Sequence, residues 1–444
     1  MAKQEVTLRG LDGHEDHLVY DAAGGQVGDS LEECARSLFP QEGETTPRLR
    51  FQGFEGEWVR AKLGDLFTER VENDINGEML SVTMNQGIIK ASENGRFDNS
   101  NSDKSHYKVV KVDDIAYNSM RMWQGASGCS PYDGIVSPAY TVVTPVEGID
   151  PHFFACLFKT PSVIKLFRLS SQGLTTDTWN LKYPAFSKIT VSYPQDIGEQ
   201  KAIASFFRRL DAQIAIQQQR LERLKQMKSA CLRSMFPQGT EFTPPIRFKQ
   251  FNGKWIMYRL GDIGKTLSGV GFPDREQGGE SGTPFYKVSD MNNKGNEQIM
   301  QSANNYVSNE QIARMGWHVC TAPSIFFAKV GAAVLLNRKR LTLQPCLCDN
   351  NTMLYRFDEK KWDAYFCLTL FNTLDLAPLA QTGSLPSYNG TMVEAITVKL
   401  PPTMEEQKFI ARHFHSLDTK ISLQTQRIEK LKQMKAACLN RMIA

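Results

Sequence analysis

Apolar residues recur at alternating steps of three and four along two stretches of the chain, residues 199–236 and 406–443. A 3.5-residue period that is kept over about five heptads is typical of a coiled-coil seam. Polar residues interrupt both seams at equivalent places, and such residues fix register and partner at a cost in stability. The predicted seam consists of Ile203, Phe207, Leu210, Ile214, Leu221, Leu224, Ile410, Phe414, Leu417, Ile421, Ile428 and Leu431.

The two stretches are copies of one sequence, because 22 of their 38 aligned positions are identical. This internal repeat predicts that each half of the chain ends in the same long helix. We expect the two helices to pack on each other; the alternative is that each packs only on its own domain. The pattern leaves parallel and antiparallel pairing open. An antiparallel pair would place Gln217 beside Lys435 and Lys228 beside Gln424.

Shorter repeated motifs mark the start of each half. Residues 50–65 correspond to residues 247–262, and both contain Leu-Gly-Asp, at 63–65 and 260–262. We interpret both aspartates as structural residues that follow a turn glycine. Each half therefore begins and ends with a repeated part.

Two dissimilar segments, roughly residues 66–185 and 263–392, lie between the repeated parts. Both predict mixed structure, because short β-rich runs alternate with Gly, Asn and Asp turns. The clearest predicted elements are strands at 107–112 and 140–143 and helices at 151–169 and 361–376. The repeated parts, which we call the repeated frame, are similar in the two halves, whereas the segments that they enclose differ in sequence.

Charge is distributed unevenly along the chain. The net charge is only +4, but each repeated stretch carries eight Lys or Arg against three acidic residues. The first 46 residues carry three basic and ten acidic residues. A basic helix pair suits a polyanion or an acidic protein partner, although a solvated helix face would have the same composition.

The cysteine, histidine and hydropathy patterns argue against several classes of protein. The nine cysteines are scattered and odd in number, which is typical of a reduced, cytoplasmic protein. The seven histidines show no metal-site spacing, and we predict no metal site. No apolar run approaches the length of a membrane span, and we expect no membrane partner.

The chain lacks the motifs of enzymes that act on DNA. Adenine methylation typically uses Asn- or Asp-Pro-Pro-aromatic, whereas the Pro-Pro pairs at 244–245 and 401–402 follow Thr and Leu. Gly264-Lys265-Thr266 echoes a phosphate-binding loop, but Arg259 stands where that loop requires glycine. We predict no catalytic residue and a role in recognition only.

With these motifs the sequence resembles the specificity subunit of a type I restriction–modification system. The resemblance rests on the two Leu-Gly-Asp motifs, on a proline followed by Glu-Gln-Lys at 199–201 and 406–408, and on the two unlike segments. It covers nearly everything from Pro47 onward. The second copy is the closer match to the family motif, since the first departs slightly at residues 193–195.

The resemblance implies that each unlike segment is a target-recognition domain that reads one half of a split DNA sequence. It implies an α+β fold, in which two mixed α/β domains are joined by two long helices that form an antiparallel coiled coil with pseudo-two-fold symmetry. The implied partners are double-stranded DNA, two methyltransferase subunits and ATP-dependent, translocating restriction subunits. S-adenosylmethionine, ATP and Mg²⁺ are expected on those partner subunits, and no cofactor is expected in this chain.

The predicted domains follow from the repeat and the resemblance. Residues 34–41 match 231–238, which predicts a short helix at 30–39 within an otherwise unrelated acidic extension. The predicted boundaries are the extension at 1–46, target-recognition domain 1 at 47–198, the first coiled-coil helix at 199–236, a linker with target-recognition domain 2 at 237–405, and the second helix at 406–444. A rigid helix pair would fix the spacing of two different half-sites, so the DNA site should be asymmetric with an unspecified gap.

Candidate DNA contacts are turn-rich clusters of Arg, Lys, Asn, Gln, hydroxyl and aromatic side chains, because these residues reach base edges and phosphates. Any one of them could equally be an ordinary solvated loop residue, and a tryptophan could be a core anchor. The candidates are Asn85, Gln86, Lys90, Arg121, Trp123, Gln124, Thr175, Thr176, Trp179, Asn180, Lys329, Arg338, Lys339, Arg340, Ser384, Tyr388 and Asn389.

Two other functions remain open at the level of sequence. The chain could be a non-catalytic coiled-coil adaptor whose variable segments bind proteins, or an enzyme with an unrecognised site. Binding to one split DNA sequence would support the first interpretation, and methyl transfer by the chain alone would support an enzyme.

Overall fold

The computed structural model describes residues 4–10, 15–20, 47, 49–84, 86–93, 103–321, 323–380 and 385–442. The chain divides into two compact units. Unit 1 comprises residues 1–217 and 427–444, and unit 2 comprises residues 218–426. Each of the two long helices contributes one half to each unit.

Unit 1 contains thirteen strands among the described residues. They are β1 Gln4–Gly10, β2 Glu15–Tyr20, β3 Leu49–Phe51, β4 Val59–Lys62, β5 Phe67–Glu69, β6 Leu80–Thr83, β7 Gly87–Lys90, β8 Lys108–Val110, β9 Ile115–Asn118, β10 Ser127–Cys129, β11 Gly134–Val136, β12 Tyr140–Pro145 and β13 Thr190–Tyr193. Its helices are α1 Leu63–Leu66, α2 Pro151–Leu157, α3 Pro161–Ser170, α4 Tyr183–Phe186 and the first half of α5 Ile197–Ser234.

Unit 2 has fewer strands than unit 1 among the described residues, and one of its helices, Asn309–Met315, has no equivalent at the same place in unit 1. The strands are β14 Ile256–Arg259, β15 Gly264–Ser268, β16 Thr283–Tyr286, β17 Tyr306–Val307, β18 Ser324–Ala328, β19 Lys339–Thr342, β20 Leu347–Cys348, β21 Thr352–Phe357 and β22 Thr397–Leu400. The helices are α6 Leu260–Ile263, α7 Asn309–Met315, α8 Ala364–Thr373, α9 Gly390–Glu394 and the first half of α10 Met404–Met442.

Each unit is built around a four-stranded antiparallel sheet. The strand order is β10-β9-β12-β5 in unit 1 and β19-β18-β21-β15 in unit 2. A separate antiparallel pair, β4 with β13 or β14 with β22, joins the two repeated ends of each half. The two dissimilar segments therefore share one topology, which their sequences do not reveal.

The strands predicted at 107–112 and 140–143 are confirmed as β8 and β12, and the helix predicted at 361–376 is confirmed as α8. The single helix predicted at 151–169 is instead two helices. The break occurs because Thr160 has extended backbone geometry and its side chain caps α3 by accepting from the backbone N–H of Val163, with Pro161 in the first turn.

The described part of the acidic N-terminal extension contains strands that the sequence does not predict. The sequence predicts only a short helix there, whereas in the structure β1 pairs antiparallel with both β2 and β3. The helix predicted at residues 30–39 lies outside the described residues. β1 contains only two alternating apolar residues, Val6 and Leu8, which is a weak sequence signal, and its pairing with β3 depends on a segment some 40 residues later in the chain.

The repeated Glu-Gln pair ties the start of each long helix to its own unit. In unit 1, Arg50 donates to both carboxylate oxygens of Glu199, at 2.7 and 2.6 Å. The side-chain oxygen of Gln200 accepts from the backbone N–H of Asp150 at 2.8 Å. The equivalents in unit 2, in the same order, are Arg247, Glu406, Gln407 and Asp363.

The two long helices run antiparallel within each unit. In unit 1 the Lys435 ammonium donates to the Asp211 carboxylate, and in unit 2 the Lys228 ammonium donates to the Asp418 carboxylate. Lys228 lies 17 residues after Asp211, and Asp418 lies 17 residues before Lys435, as an antiparallel register requires. The antiparallel coiled coil implied by the resemblance is therefore present, and each seam lysine has a carboxylate partner that the sequence reasoning did not identify.

Eight of the twelve predicted seam residues are buried and four are half-buried. Those near the start of each helix also pack on the core of their own unit. Ile203 and Phe207, for example, belong to the same apolar cluster as Trp58 and Phe153, against which Cys438 of the second helix also packs. The two helices therefore pack on each other, as expected, and each also packs on the core of its own unit.

The glycine of the repeated Leu-Gly-Asp motif is explained by close backbone approach. A Cβ atom added to Gly64 would lie 2.8 Å from the Cβ atom of Ser187, whose backbone oxygen accepts from the Gly64 N–H. We expect Gly64→Ala to lower the free energy of unfolding of unit 1 by about 1–3 kcal/mol, because the backbone must shift. Urea denaturation measures this change.

Gly271→Ala is the control for that substitution. Gly271 has no atom within 4 Å of an added Cβ and no left-handed backbone, so the change should stay within about 0.5 kcal/mol. Equal stability of the two variants would contradict the steric explanation.

Candidate nucleic-acid interface

The connection between β9 and β10 in unit 1 carries the first predicted DNA-contact cluster. It contains a single 3-10 turn at Met122–Gln124, which ends at Gly125 in the left-handed conformation, with φ of 79°. The Met122 side chain is fully buried and anchors the turn, while Arg121 and Gln124 are exposed and Trp123 is half-buried. The turn therefore presents a guanidinium and an amide to solvent from a fixed base.

A second predicted cluster, on the connection between α3 and α4, lies against the first. The indole rings of Trp123 and Trp179 meet edge to face with centroids 5.3 Å apart, and the Arg168 guanidinium lies 5.5 Å from the Trp179 ring centroid. Thr175 and Thr176 are exposed on this connection. Asn180 is half-buried there, and its backbone exchanges two hydrogen bonds with the backbone of Gln172.

The β6–β7 hairpin completes the same surface. Gln86 is exposed near its tip, and Lys90 is half-buried, with its ammonium 3.5 Å from Glu78 and 5.6 Å from the Tyr132 ring centroid. Asn85 lies outside the described residues. The hairpin approaches β10 so closely that a Cβ on Gly128 would lie 2.7 Å from the Cα atom of Gly87.

Lys159 joins two of these segments and was missed by the sequence analysis. Its ammonium donates to the backbone oxygen of Met84 at 2.9 Å and to that of Gly125. Burial, together with the charge of Lys435, lowers the pKa of Lys159 to about 8. No sequence signal identifies this lysine, because it lies in the short link between α2 and α3, far along the chain from both acceptors.

The equivalent connection in unit 2, between β18 and β19, carries another predicted cluster. It contains a 3-10 helix, Ala332–Leu336, followed by Asn337 in the left-handed conformation. Arg338 is exposed and its Nη1 donates to the Asn292 side-chain oxygen at 2.7 Å, while Lys329 is half-buried. Asn389 is exposed and caps α9 by accepting from the backbone N–H of Met392. Ser384 lies outside the described residues.

Two predicted contacts in unit 2, Lys339 and Tyr388, are corrected by their burial, whereas Arg340 is half-buried. Lys339 is only 2% exposed, and its ammonium donates to the Asn337 side-chain oxygen and to the Leu374 backbone oxygen. Burial lowers its pKa to about 8. Tyr388 is buried, with its hydroxyl donating to the Ala328 backbone oxygen, and desolvation raises its pKa. Arg340 donates to the backbone oxygen of Lys339, and partial burial lowers its pKa.

The candidate loops of the two units occupy equivalent positions in the topology. In both, backbone hydrogen bonds join the loop that follows β9 or β18 to the loop that precedes the short helix α4 or α9. The Leu181 N–H donates to the Ser119 oxygen at 2.8 Å, and the Tyr388 N–H donates to the Lys329 oxygen at 3.2 Å. The predicted contact clusters of the two dissimilar segments thus lie on equivalent pairs of loops in the two units.

Within the part of the chain that the structure describes, no helix is both long and apolar enough to cross a membrane. The described candidate loops expose polar and basic side chains together with several large apolar ones, namely Met84, Met120, Leu174, Leu335, Leu336 and Leu385. Such loops offer donors and acceptors for base edges and phosphates.

Comparison with known proteins shows which family this chain is similar to. Residues 55–226 and 252–433 each match the type I restriction modification DNA specificity domain. A chain from a study of complex assembly and conformational transition of the type I R-M system is similar over 87% of this chain and 97% of its own, with 14% identity and a TM-score of 0.55. The crystal structure of a type I restriction-modification system S subunit from M. genitalium is similar over 90% of this chain and 99% of its own, with 13% identity and a TM-score of 0.56.

At these identities the two structures establish a shared fold only, but the family match covers most of the chain in two copies. The chain therefore belongs to the family of type I restriction-modification DNA specificity subunits, which recognise a DNA sequence and leave catalysis to partner subunits.

Proposed function

We propose that each unit reads one half of a split DNA sequence through its own set of loops. The unit 1 reading surface consists of Gln86, Arg121, Gln124, Thr175 and Thr176. The unit 2 reading surface consists of Lys329, Arg338 and Asn389. Because the two surfaces differ in sequence and shape, the proposed site is asymmetric, with an unspecified gap between its halves.

The observation that carries the proposal for unit 1 is the convergence of three predicted clusters on one surface. The β6–β7 hairpin, the β9–β10 connection and the α3–α4 connection are held together by Lys159 and by the contact of Trp123 with Trp179. Arginine and amide side chains on such a surface can form bidentate contacts with guanine and adenine edges, and threonine hydroxyls can contact phosphates. The two tryptophans support the loops rather than reading bases.

Unit 2 supports the proposal through its equivalent loop pair. Arg338 is held near Asn292 at the end of the β18–β19 connection, and Lys329 and Asn389 lie on the two connections that backbone hydrogen bonds join. The exposed leucines of the same loop, Leu335 and Leu336, can contact the thymine methyl group.

The family works with DNA and with methyltransferase and restriction subunits. We propose in addition that this chain binds two methyltransferase subunits, and that translocating restriction subunits join the larger complex. S-adenosylmethionine, ATP and Mg²⁺ would then be bound by those partners. The predicted domain boundaries, with target-recognition domains at 47–198 and 237–405, remain part of this proposal.

Selection from a pool of split random duplexes, with the methyltransferase subunits present, tests the proposal. Arg121→Ala should relax sequence preference in one half-site only, and Arg338→Ala should relax it in the other half-site only. Loss of one good base contact costs about 1–3 kcal/mol, or roughly 5- to 150-fold in discrimination at that base pair.

Arg60→Ala and Arg259→Ala are matched controls, because both arginines are exposed on strands of the repeated frame, outside the reading surfaces. They should leave the selected sequence unchanged. If Arg121→Ala altered both half-sites, or neither, the assignment of one half-site to each unit would be wrong.

A further inference from the structure

Three potential metal ligands from different elements of unit 1 lie close together beside its four-stranded sheet. Asp113 lies in the turn between β8 and β9, Cys129 ends β10, and His152 lies in the first turn of α2. The Cys129 sulfur is 3.8 Å from the Asp113 Oδ1 atom and 3.9 Å from the His152 Nε2 atom. The His152 Nε2 atom is 3.3 Å from the same Asp113 oxygen.

We propose that Asp113, Cys129 and His152 bind a divalent cation of the zinc type, with a fourth position left to water. A zinc ion lies about 2.0–2.3 Å from oxygen, nitrogen and sulfur ligands, so tetrahedral coordination separates the ligand atoms by roughly 3.3–3.7 Å. The three observed separations, 3.3, 3.8 and 3.9 Å, therefore need to change by only a few tenths of an ångström.

Backbone contacts fix all three ligands in place before any ion binds. Asp113 has a left-handed backbone, with φ of 71°, and its N–H donates to the Ser130 oxygen at 2.9 Å. Cys129 is paired with Ile115 of the central strand. His152 belongs to the helix turn that Asp150 caps by accepting from the Phe153 N–H.

The donor set and its exposure indicate the class of ion. A thiolate and an imidazole favour zinc over magnesium or calcium, which prefer oxygen ligands only. The side chains of Asp113 and His152 are 58% and 32% exposed, which leaves a path for the ion and room for a water ligand. Without an ion, the same three groups form a hydrogen-bonded cluster in which the Cys129 thiol donates to the Asp113 carboxylate beside His152.

Among the residues that the structure describes, unit 2 has no counterpart of this cluster. The residue equivalent to His152 is Tyr365, which follows the capping Asp363 at the same spacing, and the residue equivalent to Cys129 is Leu341, which pairs with Ile325. The cluster is therefore not required by the shared topology. The ion would link β10, α2 and the β8–β9 turn, and would stabilise unit 1 by binding its folded state.

Zinc titration of the purified, metal-free full chain against a chromophoric chelator tests the proposal. We expect one equivalent to bind with micromolar or tighter affinity. Cobalt bound at the same site should give the sulfur-to-metal charge-transfer and visible bands of a tetrahedral thiolate site. Cys129→Ser and His152→Ala should each weaken zinc binding by roughly 100-fold or more, since even an outer-sphere change can cost 10- to 100-fold.

Asp113→Asn guards against a folding artefact, because Asp113 is mostly exposed and asparagine tolerates the left-handed backbone. This variant should keep its fold by circular dichroism and bind zinc more weakly. His106→Ala and Cys231→Ser should bind zinc as the unaltered chain does. The absence of micromolar binding, or unchanged binding by both Cys129→Ser and His152→Ala, would overturn the proposal.

Discussion

Replacing Arg247 with alanine is expected to destabilise unit 2 by about 3–5 kcal/mol. The Arg247 guanidinium donates to both carboxylate oxygens of Glu406 at 2.7 Å, and to the backbone oxygens of Asn252 and Gly253. Glu406 is only 1% exposed, so removal of its partner leaves an uncompensated buried charge. Hydrogen exchange of residues 323–357 in increasing urea measures the change.

An exposed ion pair in the same unit provides the control. Lys265 lies 3.4 Å from Glu394 and its side chain is 64% exposed. Lys265→Ala should therefore cost less than about 1 kcal/mol, because solvent screens the pair. A similarly small effect of Arg247→Ala would show that the repeated Glu-Gln motif does not anchor the helix as described.

The second large effect is expected from Phe414→Ala, which should destabilise unit 2 by about 3–5 kcal/mol. Phe414 is fully buried in the main core of unit 2, where its ring lies 6.1 Å from that of Phe236. Phe236 follows the first long helix and Phe414 lies near the start of the second, so the contact belongs to the antiparallel helix pairing. Urea unfolding monitored by tryptophan fluorescence measures the loss.

Leu423→Ala is the matched control, because Leu423 lies on the same helix within unit 2 but is 59% exposed. Its replacement should change stability by no more than about 0.5 kcal/mol. A Phe414→Ala variant as stable as Leu423→Ala would contradict the assignment of Phe414 to the helix seam.

Residues far apart in the sequence gather at both proposed sites. Gln86, Arg121 and Thr175 reach one surface only because the hairpin and two connections meet there. Asp113, Cys129 and His152 have no recognisable metal-ligand spacing, and the sequence therefore predicts no metal site. Lys159 likewise joins two loops of unit 1, and no local sequence pattern indicates this role.

The repeated frame could be predicted from the sequence alone. Heptad periodicity identifies α5 and α10, and the repeat of Leu-Gly-Asp and Glu-Gln-Lys identifies the equivalent ends of the two halves. These features depend on short-range order along the chain, namely the spacing of apolar residues on one helix face and motifs within a few residues of each other.

The tertiary structure alone decided which candidate side chains are exposed and which are buried. Lys339 and Tyr388 have compositions typical of a binding loop, yet both are buried with internal hydrogen-bond partners. Burial depends on which strands and loops lie next to each other, and the two dissimilar segments reach one topology without any shared sequence pattern. The neighbours of each strand and loop are set by long-range packing, which local sequence periodicity does not encode. For this reason the sequence predicts the repeated frame but not the burial of the candidate side chains.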